Sequence, residues 1–266
     1  MFSDSLQLQF QEYCDQHTAA LPDQTALLPQ ESHPEREMLL VLAGEMEFYL
    51  AGRRYMATPG KAFFIDHWIT HPLGYSKVST IFRHIWVHVH SQRLFAMLGE
   101  MAPDGTLQSC GMWEFPHGML ELLNQRWDRA GQADAELRLE LYESIVRMLT
   151  EEIHFQQRID VPMISREDDV ISWVKNYISM NYGRNSSLEE LERLTGYNRR
   201  HLMRKFKSEN HITIGEYINC VRRGFVSDAQ QRMSQKEIAF QLGFKSAAAY
   251  WLWQQRDRRK YHEQKL

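Results

Sequence analysis

The spacing of apolar residues along the chain changes near residue 92. Between residues 31 and 91, apolar runs such as EMLLVLAG and GEMEFYLAG are separated by Gly and Pro. Runs of this kind predict short β-strands. The segment TIFRHIWVHVH alternates, which predicts a strand with Ile85, Val87 and Val89 on one face and polar or aromatic side chains on the other. Several short strands with Gly and Pro turns predict a small barrel or sandwich.

From about residue 92 onward the apolar period becomes helical. The clearest predicted helix is DAELRLELYESIVRMLTEEIHF, residues 134–155, whose apolar residues step by three and four. A stripe this broad predicts packing against more than one neighbour, either the barrel or a second subunit. We therefore expect a homodimer in which Tyr142, Val146 or Leu149 is buried.

The predicted fold class is α+β, with two domains. An N-terminal β-barrel with a helical dimerisation segment covers residues 1–157, and an all-α domain covers residues 168–266. The Pro-containing segment RIDVPMISRE interrupts the helical pattern and gives the predicted linker, residues 158–167.

The helical half contains an internal repeat with an offset of 47 residues. EELERLTGYN (189–198) aligns with KEIAFQLGFK (236–245), so that Gly196 aligns with Gly243. Gly permits the positive φ of a tight turn between two helices. One such hairpin is common in helical bundles, but two copies joined by a long helix predict paired helix-turn-helix units that bind DNA.

Composition and charge support the assignment of DNA binding to the helical half. The chain is 43% hydrophobic and 24% charged, as in globular proteins with an apolar core. Residues 165–266 carry 19 Lys and Arg against 12 Asp and Glu, whereas residues 1–164 carry 12 against 22. We therefore expect the C-terminal half to contact a polyanion, double-stranded DNA. The sequence shows no signal peptide, no apolar stretch of membrane-spanning length and no CxxC pair, so we expect a cytoplasmic protein that does not bind membranes.

The C-terminal hundred residues resemble the AraC/XylS family of bacterial transcription regulators. The resemblance rests on SLEELERLTGYNRRHLMRKFKSE, EYINCVRR and IAFQLGF. GRRYMATPGKAFFIDHWITH and HIWVHV are similar, more loosely, to the cupin-type effector domain of that family. The resemblance implies a transcription regulator that responds to a small-molecule effector, often a carbohydrate. It also implies contact with RNA polymerase if the protein is an activator.

The resemblance also implies which residues bind DNA. Arg at these positions pairs with guanine, whereas Met makes only apolar contacts. The implied residues are Arg199, Arg200, Met203, Arg204, Arg222, Ala247, Ala248 and Trp251.

The sequence departs from the family pattern in two places. Glu192 lies where the family prefers Ala, so we expect it to lean outward or to meet a basic partner. In the second unit the family's core positions fall on Tyr250 and Gln254, whereas a one-residue slip would give Ala249 and Trp253. In either register no Arg occupies a base-reading position there.

Polar residues of the predicted barrel form the expected effector site. An aromatic ring beside polar groups suits a ligand that carries hydroxyls. The residues are His33, Glu37, His71, His84, Trp86 and His88. Metal-binding cupins use His-x-His, then Glu three or four residues later, then another His. Because HPERE (33–37) lacks the second His, we expect a polar pocket without a metal or cofactor.

The predicted protein is not an enzyme, and two alternatives stay open. A cupin-type metalloenzyme with a helical appendage would need a complete set of metal ligands. A regulator that has lost specific DNA binding and acts through protein contacts would explain the diverged second unit.

Overall fold

The computed structural model describes residues 8–19, 30–72, 74–90, 93–158 and 170–263. The chain divides into two compact units, residues 1–165 and 166–266. Most of the predicted linker, 158–167, falls outside the described residues. Within the described ranges, no helix has both the length and the apolar character needed to cross a bilayer.

The described part of the N-terminal unit contains ten strands followed by two helices. The strands are β1 (Glu12–Cys14), β2 (Gln30–Glu31), β3 (Arg36–Ala43), β4 (Met46–Leu50), β5 (Arg53–Ala57), β6 (Lys61–Ile65), β7 (His71–Pro72), β8 (Phe82–Val89), β9 (Leu94–Met101) and β10 (Leu107–Glu114). The helices are α1 (His117–Gln132) and α2 (Ala135–Arg158). Six strands form one sheet in the order β1-β6-β3-β8-β9-β10, while β2 pairs with β7 and β4 with β5.

Alternate residues of β8 face two separate apolar cores, as the sequence pattern predicts. Ile85 and Val87 lie in one cluster with Trp127 of α1 and Tyr142 of α2. Trp86 points the other way and packs against a second cluster, formed largely by β3, β4, β5 and β6. Because strand side chains alternate, one face of the sheet carries the helices and the other carries the predicted effector residues.

The segment after residue 92 forms strands, so the prediction of a helix there is wrong. β9 pairs antiparallel with β8, and β10 pairs antiparallel with β9. All five residues of LFAML, 94–98, are buried. A continuous apolar run fits a strand buried on both faces as well as a helix, so periodicity alone does not separate them. Among the described residues, the first helix is α1.

The three residues of α2 expected at the dimer contact are buried within their own unit. Tyr142, Val146 and Leu149 all belong to the cluster between the helices and the sheet. The Tyr142 ring stacks on Phe64 with ring centroids 4.0 Å apart. These side chains are not available to a second subunit, so they are not the dimer contact that we expected.

The described part of the C-terminal unit contains six helices joined by turns. Its helices are α3 (Val170–Met180), α4 (Leu188–Thr195), α5 (Arg199–Asn210), α6 (Ile214–Ala229), α7 (Gln235–Gln241) and α8 (Ala247–Glu263). Gly196 ends α4 with φ 73°, and Gly243 has the same φ in the turn after α7. Both turns therefore use the left-handed conformation that favours Gly.

The spacing from the turn glycine to the residue that caps the next helix is one residue longer before α8 than before α5. Asn198, two residues after Gly196, caps α5 by accepting from the Arg200 N–H. Ser246, three residues after Gly243, accepts from the Ala249 N–H at 3.1 Å. This extra residue sets the register of α8.

The register of α8 places Tyr250 in the core. Its side chain is buried, and its ring packs on Phe244 and Trp253. Trp253 is only partly buried and donates its indole N–H to Asn219 at 2.8 Å. At the first of the two positions the structure therefore matches the register with Tyr250 in the core, because Ala249 is only partly buried; Gln254 and Trp253 are both partly buried.

Candidate functional site

Five polar side chains converge on the face of the N-terminal sheet opposite the helices; we call them the polar cluster. Glu31 and His71 are cross-strand partners on β2 and β7, and Glu37 and His88 are partners on β3 and β8. His33 lies just before β3. All but Glu31 are buried. Buried ionisable side chains require partners, and here they supply one another.

The reactive atoms of the cluster lie within a few ångströms of one another. His33 Nε2 is 3.3 Å from His71 Nε2. The Glu37 carboxylate oxygens lie 3.7 Å from His33 Nε2 and 3.5 Å from His71 Nε2. Glu31 Oε1 is 3.5 Å from His71 Nε2, and His88 Nδ1 donates to Glu37 at 2.9 Å. Four of the six predicted effector residues therefore meet in one place.

Backbone carbonyls fix the tautomers of the two central histidines. His33 Nδ1 donates to the Glu35 carbonyl at 3.2 Å, and His71 Nδ1 donates to the Ile69 carbonyl at 2.9 Å. When neutral, each ring therefore directs an Nε2 lone pair at the other ring and at the carboxylates. Electron-rich atoms at this spacing repel unless a cation lies among them. That cation is either a proton on an imidazole or a metal ion.

The pKa shifts follow from the same arrangement. Burial opposes a charge on His33, but the carboxylates of Glu37, Glu35 and Glu31 outweigh it and raise the pKa of His33 to about 9. Burial also opposes ionisation of Glu37, but His33 and His88 hold its pKa well below the ordinary value. The polar cluster is therefore preorganised around positive charge.

The donor set of the cluster fits a divalent metal ion. Glu31, His33 and His71 each place one ligand atom within 4.8 Å of the others, and Glu37 adds a carboxylate beside them. Imidazole and carboxylate are ligands of zinc, manganese and iron, and the Nδ1 bonds to carbonyls are the contacts that orient ligating histidines. A metal held by these residues would act as a Lewis acid toward a bound oxygen.

Glu31 is the residue that sequence reasoning missed. We took His33 as the first His of the metal-binding pattern and found no second one. In the structure Glu31 lies where the first His of His-x-His would be, with Glu37 four residues after His33. The signal was the spacing Glu31-x-His33, which places both side chains beside His71.

The two remaining predicted effector residues bind Tyr75, which sequence analysis did not single out. The Trp86 indole donates to the Tyr75 hydroxyl at 2.9 Å, and that hydroxyl donates to His84 Nε2 at 2.7 Å. Burial lowers the pKa of His84 to about 4, so the ring is neutral and able to accept. This network adjoins the polar cluster along the same face of β8, with the Trp86 and His88 rings 6.2 Å apart.

In the C-terminal unit, α5 exposes a basic face. Arg200, Met203 and Arg204 are all exposed. Among the described residues, no carboxylate forms an ion pair with the Arg200 or Arg204 guanidinium. Leu202 and Phe206 occupy the opposite, buried face of the helix. The helix thus presents two cations and a flexible apolar side chain to whatever approaches it.

Arg199, at the start of α5, is already paired. Its guanidinium contacts Glu192 at 2.7 Å and Glu189 at 2.6 Å, both on α4. Glu192 therefore has the basic partner that we expected for it. The pair links the two helices across the turn, which leaves less of the Arg199 charge for an external anion.

Arg222 is held within the fold. Its Nη2 donates to the Gly183 carbonyl at 2.9 Å, and its guanidinium lies over the Phe244 ring at 4.8 Å. Burial lowers its pKa. These contacts join the segment after α3 to the turn before α8, so the geometry gives Arg222 a packing role. The other implied DNA-binding residues, Ala247, Ala248 and Trp251, lie exposed on α8.

Comparison with known proteins gives two matches. Residues 19–88 match the cupin domain family. The chain is also similar to the uncharacterized HTH-type transcriptional regulator YbfI of Bacillus subtilis (strain 168), with 27% identity over 113 residues. That alignment covers 41% of this chain and 38% of the relative, well under two thirds of the relative's length. No solved structure matches the chain. The chain thus combines a match to the cupin domain family over residues 19–88 with similarity to a helix-turn-helix transcription regulator.

Proposed function

We propose that this protein is a DNA-binding transcription regulator of the AraC type that responds to a small molecule. The helix pairs α4–α5 and α7–α8 act as two helix-turn-helix units. The observation that carries the proposal is the α5 face on which Arg200, Met203 and Arg204 are exposed. Arg can pair with guanine and Met can contact a thymine methyl, so this face suits a major groove.

The polar cluster and the adjoining Tyr75 network form the proposed effector site. His33, Glu37 and His71 offer directed polar atoms, and Trp86 offers a partly exposed ring. Such a mixture suits a ligand with several hydroxyls, in keeping with the carbohydrates that the family resemblance implies. A thermal-shift screen of small sugars is the test. A sugar that stabilises the parent and not Trp86→Ala would support the site.

DNA binding is tested by selecting duplexes from a random pool and measuring their affinity by fluorescence anisotropy. We expect Arg204→Ala to bind the selected duplex about 10- to 100-fold more weakly and to relax the preference at one base pair. Arg193→Ala is the matched control, because Arg193 is exposed on α4 and paired with Glu190. Failure of the parent to enrich any sequence would refute the proposal.

The donor set around His33 favours one second candidate, a metal-dependent cupin enzyme. Glu31, His33, Glu37 and His71 would hold the metal, and the metal would polarise an oxygen atom of the substrate. Stoichiometric metal in the purified protein, together with failure to select DNA, would favour this candidate. Metal together with sequence-selective DNA binding would favour a regulator that uses a metal.

A further inference from the structure

Helix α8 presents an apolar surface where α5 presents a basic one. The surface is formed by Ala247, Ala248, Trp251 and Leu252. Trp251 is 51% exposed and Leu252 is 48% exposed. Adjacent large apolar side chains at this exposure keep water against apolar area, which is unfavourable unless something covers it.

The two helices can be compared position by position from their caps, Asn198 and Ser246. Tyr250 then matches Leu202, and both are buried. With the buried faces aligned, the exposed faces also align. Arg200 and Arg204 of α5 correspond to Ala248 and Leu252 of α8, and Met203 corresponds to Trp251. The apolar surface of α8 therefore lies on the same side of its helix pair as the basic face of α5.

The orientation of α8 is fixed from its buried side. Tyr250 packs on Phe244 at a ring distance of 5.6 Å. Asp257, buried on the same side, accepts from Arg223 at 2.7 Å. Because these contacts lock the rotation of the helix, the apolar surface is presented rigidly. Trp251 is therefore exposed because the buried contacts of α8 hold it on the outer face of the helix.

The rim of the surface is positive. Lys245, Arg256 and Arg258 are exposed around it. Asp257, the acidic residue between the two arginines, is neutralised by Arg223. An apolar centre with a cationic rim complements an apolar group set among phosphates. In a DNA major groove that group is the 5-methyl of thymine, which apolar side chains contact.

We propose that α8 reads thymine methyl groups through Ala248, Trp251 and Leu252, so that the DNA half-site of the second unit is specified by thymine. The inference rests on the proposed function, because it takes α7–α8 to be a DNA-reading unit. The two units would then recognise different chemical groups of the bases. The arginines of α5 recognise hydrogen-bond acceptors of guanine, and α8 recognises methyl groups.

Uracil substitution is the direct test, because it removes the methyl and leaves the base pairing unchanged. The probe is the duplex that the parent protein selects from a random pool, with each thymine replaced in turn by deoxyuridine. We expect about four-fold weaker binding for each contacted methyl, clustered in one half-site. Trp251→Gln and Leu252→Gln should bind equally well to the duplex with thymine in that half-site and to the duplex with uracil there. Both side chains are exposed, so the variants should fold.

Phe240→Ser is the matched control, because Phe240 is an apolar residue exposed on α7, outside the surface described. It should keep the full sensitivity to uracil. A parent that selects a sequence but tolerates uracil throughout the second half-site would overturn the inference and leave the proposed function intact. Unchanged DNA binding by Trp251→Gln would also overturn it, because the Trp251 ring would then make no contact with the duplex. A parent that selects no DNA would overturn both.

Discussion

His33 and His71 hold their Nε2 atoms 3.3 Å apart, and a backbone carbonyl orients each ring. Glu37 lies within 3.7 Å of both rings and also accepts from His88. The arrangement is stable only with a positive charge among these atoms. A proton and a metal ion therefore compete for the same site between the two rings and the carboxylate. Metal binding at this site can be measured directly.

Metal binding should stabilise the N-terminal unit. Addition of manganese or zinc to protein stripped with a chelator should raise the melting temperature by about 5–10 °C once the metal reaches a hundred-fold excess over its dissociation constant. His71→Asn should abolish the response, because it removes a central ligand. His117→Asn should keep it, since His117 is a surface residue on α1. An equal response in all three proteins would indicate adventitious surface binding.

Burial of neutral His84 should make the protein sensitive to acid. The unfolded chain binds this proton below about pH 6.5, whereas the folded chain binds it only near pH 4. The stabilising contribution is therefore complete above pH 6.5 and is lost as the pH falls toward 4, up to about 3 kcal/mol.

Urea unfolding of His84→Gln across that pH range measures this contribution. Gln can still accept from Tyr75 but does not titrate, so its stability should fall less steeply with acid than that of the parent. Identical pH dependence of the two proteins would mean that His84 has the same pKa in the folded chain as in the unfolded chain.

The sequence predicted the alternation of β8 because strand side chains have a strict period of two, and it predicted α2 because its stripe spans six turns. It did not predict β9, whose residues 94–98 are buried on both faces and so show no period. It also missed Glu31 and Tyr75. The spacing Glu31-x-His33 is a local signal, but it has a meaning only through the contact of Glu31 with His71, and the role of Tyr75 likewise depends on its contact with His84. Neither contact follows from the period of apolar residues along the chain.

Assembly can be tested with two substitutions on α2. Val146 is 3% exposed, so Val146→Glu buries an unpaired charge and should unfold the N-terminal unit. Leu139 is 50% exposed, and we propose that it belongs to the homodimer contact. Leu139→Glu should therefore leave the melting temperature nearly unchanged and yield monomers in sedimentation velocity. A parent protein that is monomeric at micromolar concentration would contradict the dimer.

Substitution of Arg222 should lower stability, whereas substitution of Arg200 should weaken DNA binding. Arg222→Met keeps the apolar stem but loses the bond to the Gly183 carbonyl and the contact with the Phe244 ring. We expect it to lower the free energy of unfolding of the C-terminal unit by about 1–2 kcal/mol. Arg200→Met, on the exposed face of α5, should leave that free energy unchanged and weaken binding to the selected duplex.

The two variants are compared by urea unfolding and by anisotropy titration at a temperature where both are folded. Arg222→Met should then bind the selected duplex with an affinity within about two-fold of that of the parent, because the Arg222 guanidinium of the parent makes its contacts inside the fold. The opposite pattern, full stability with a loss of DNA affinity like that of Arg200→Met, would make Arg222 a DNA contact. It would then have the role that the family resemblance implies, and the bond to Gly183 would have to open when DNA binds.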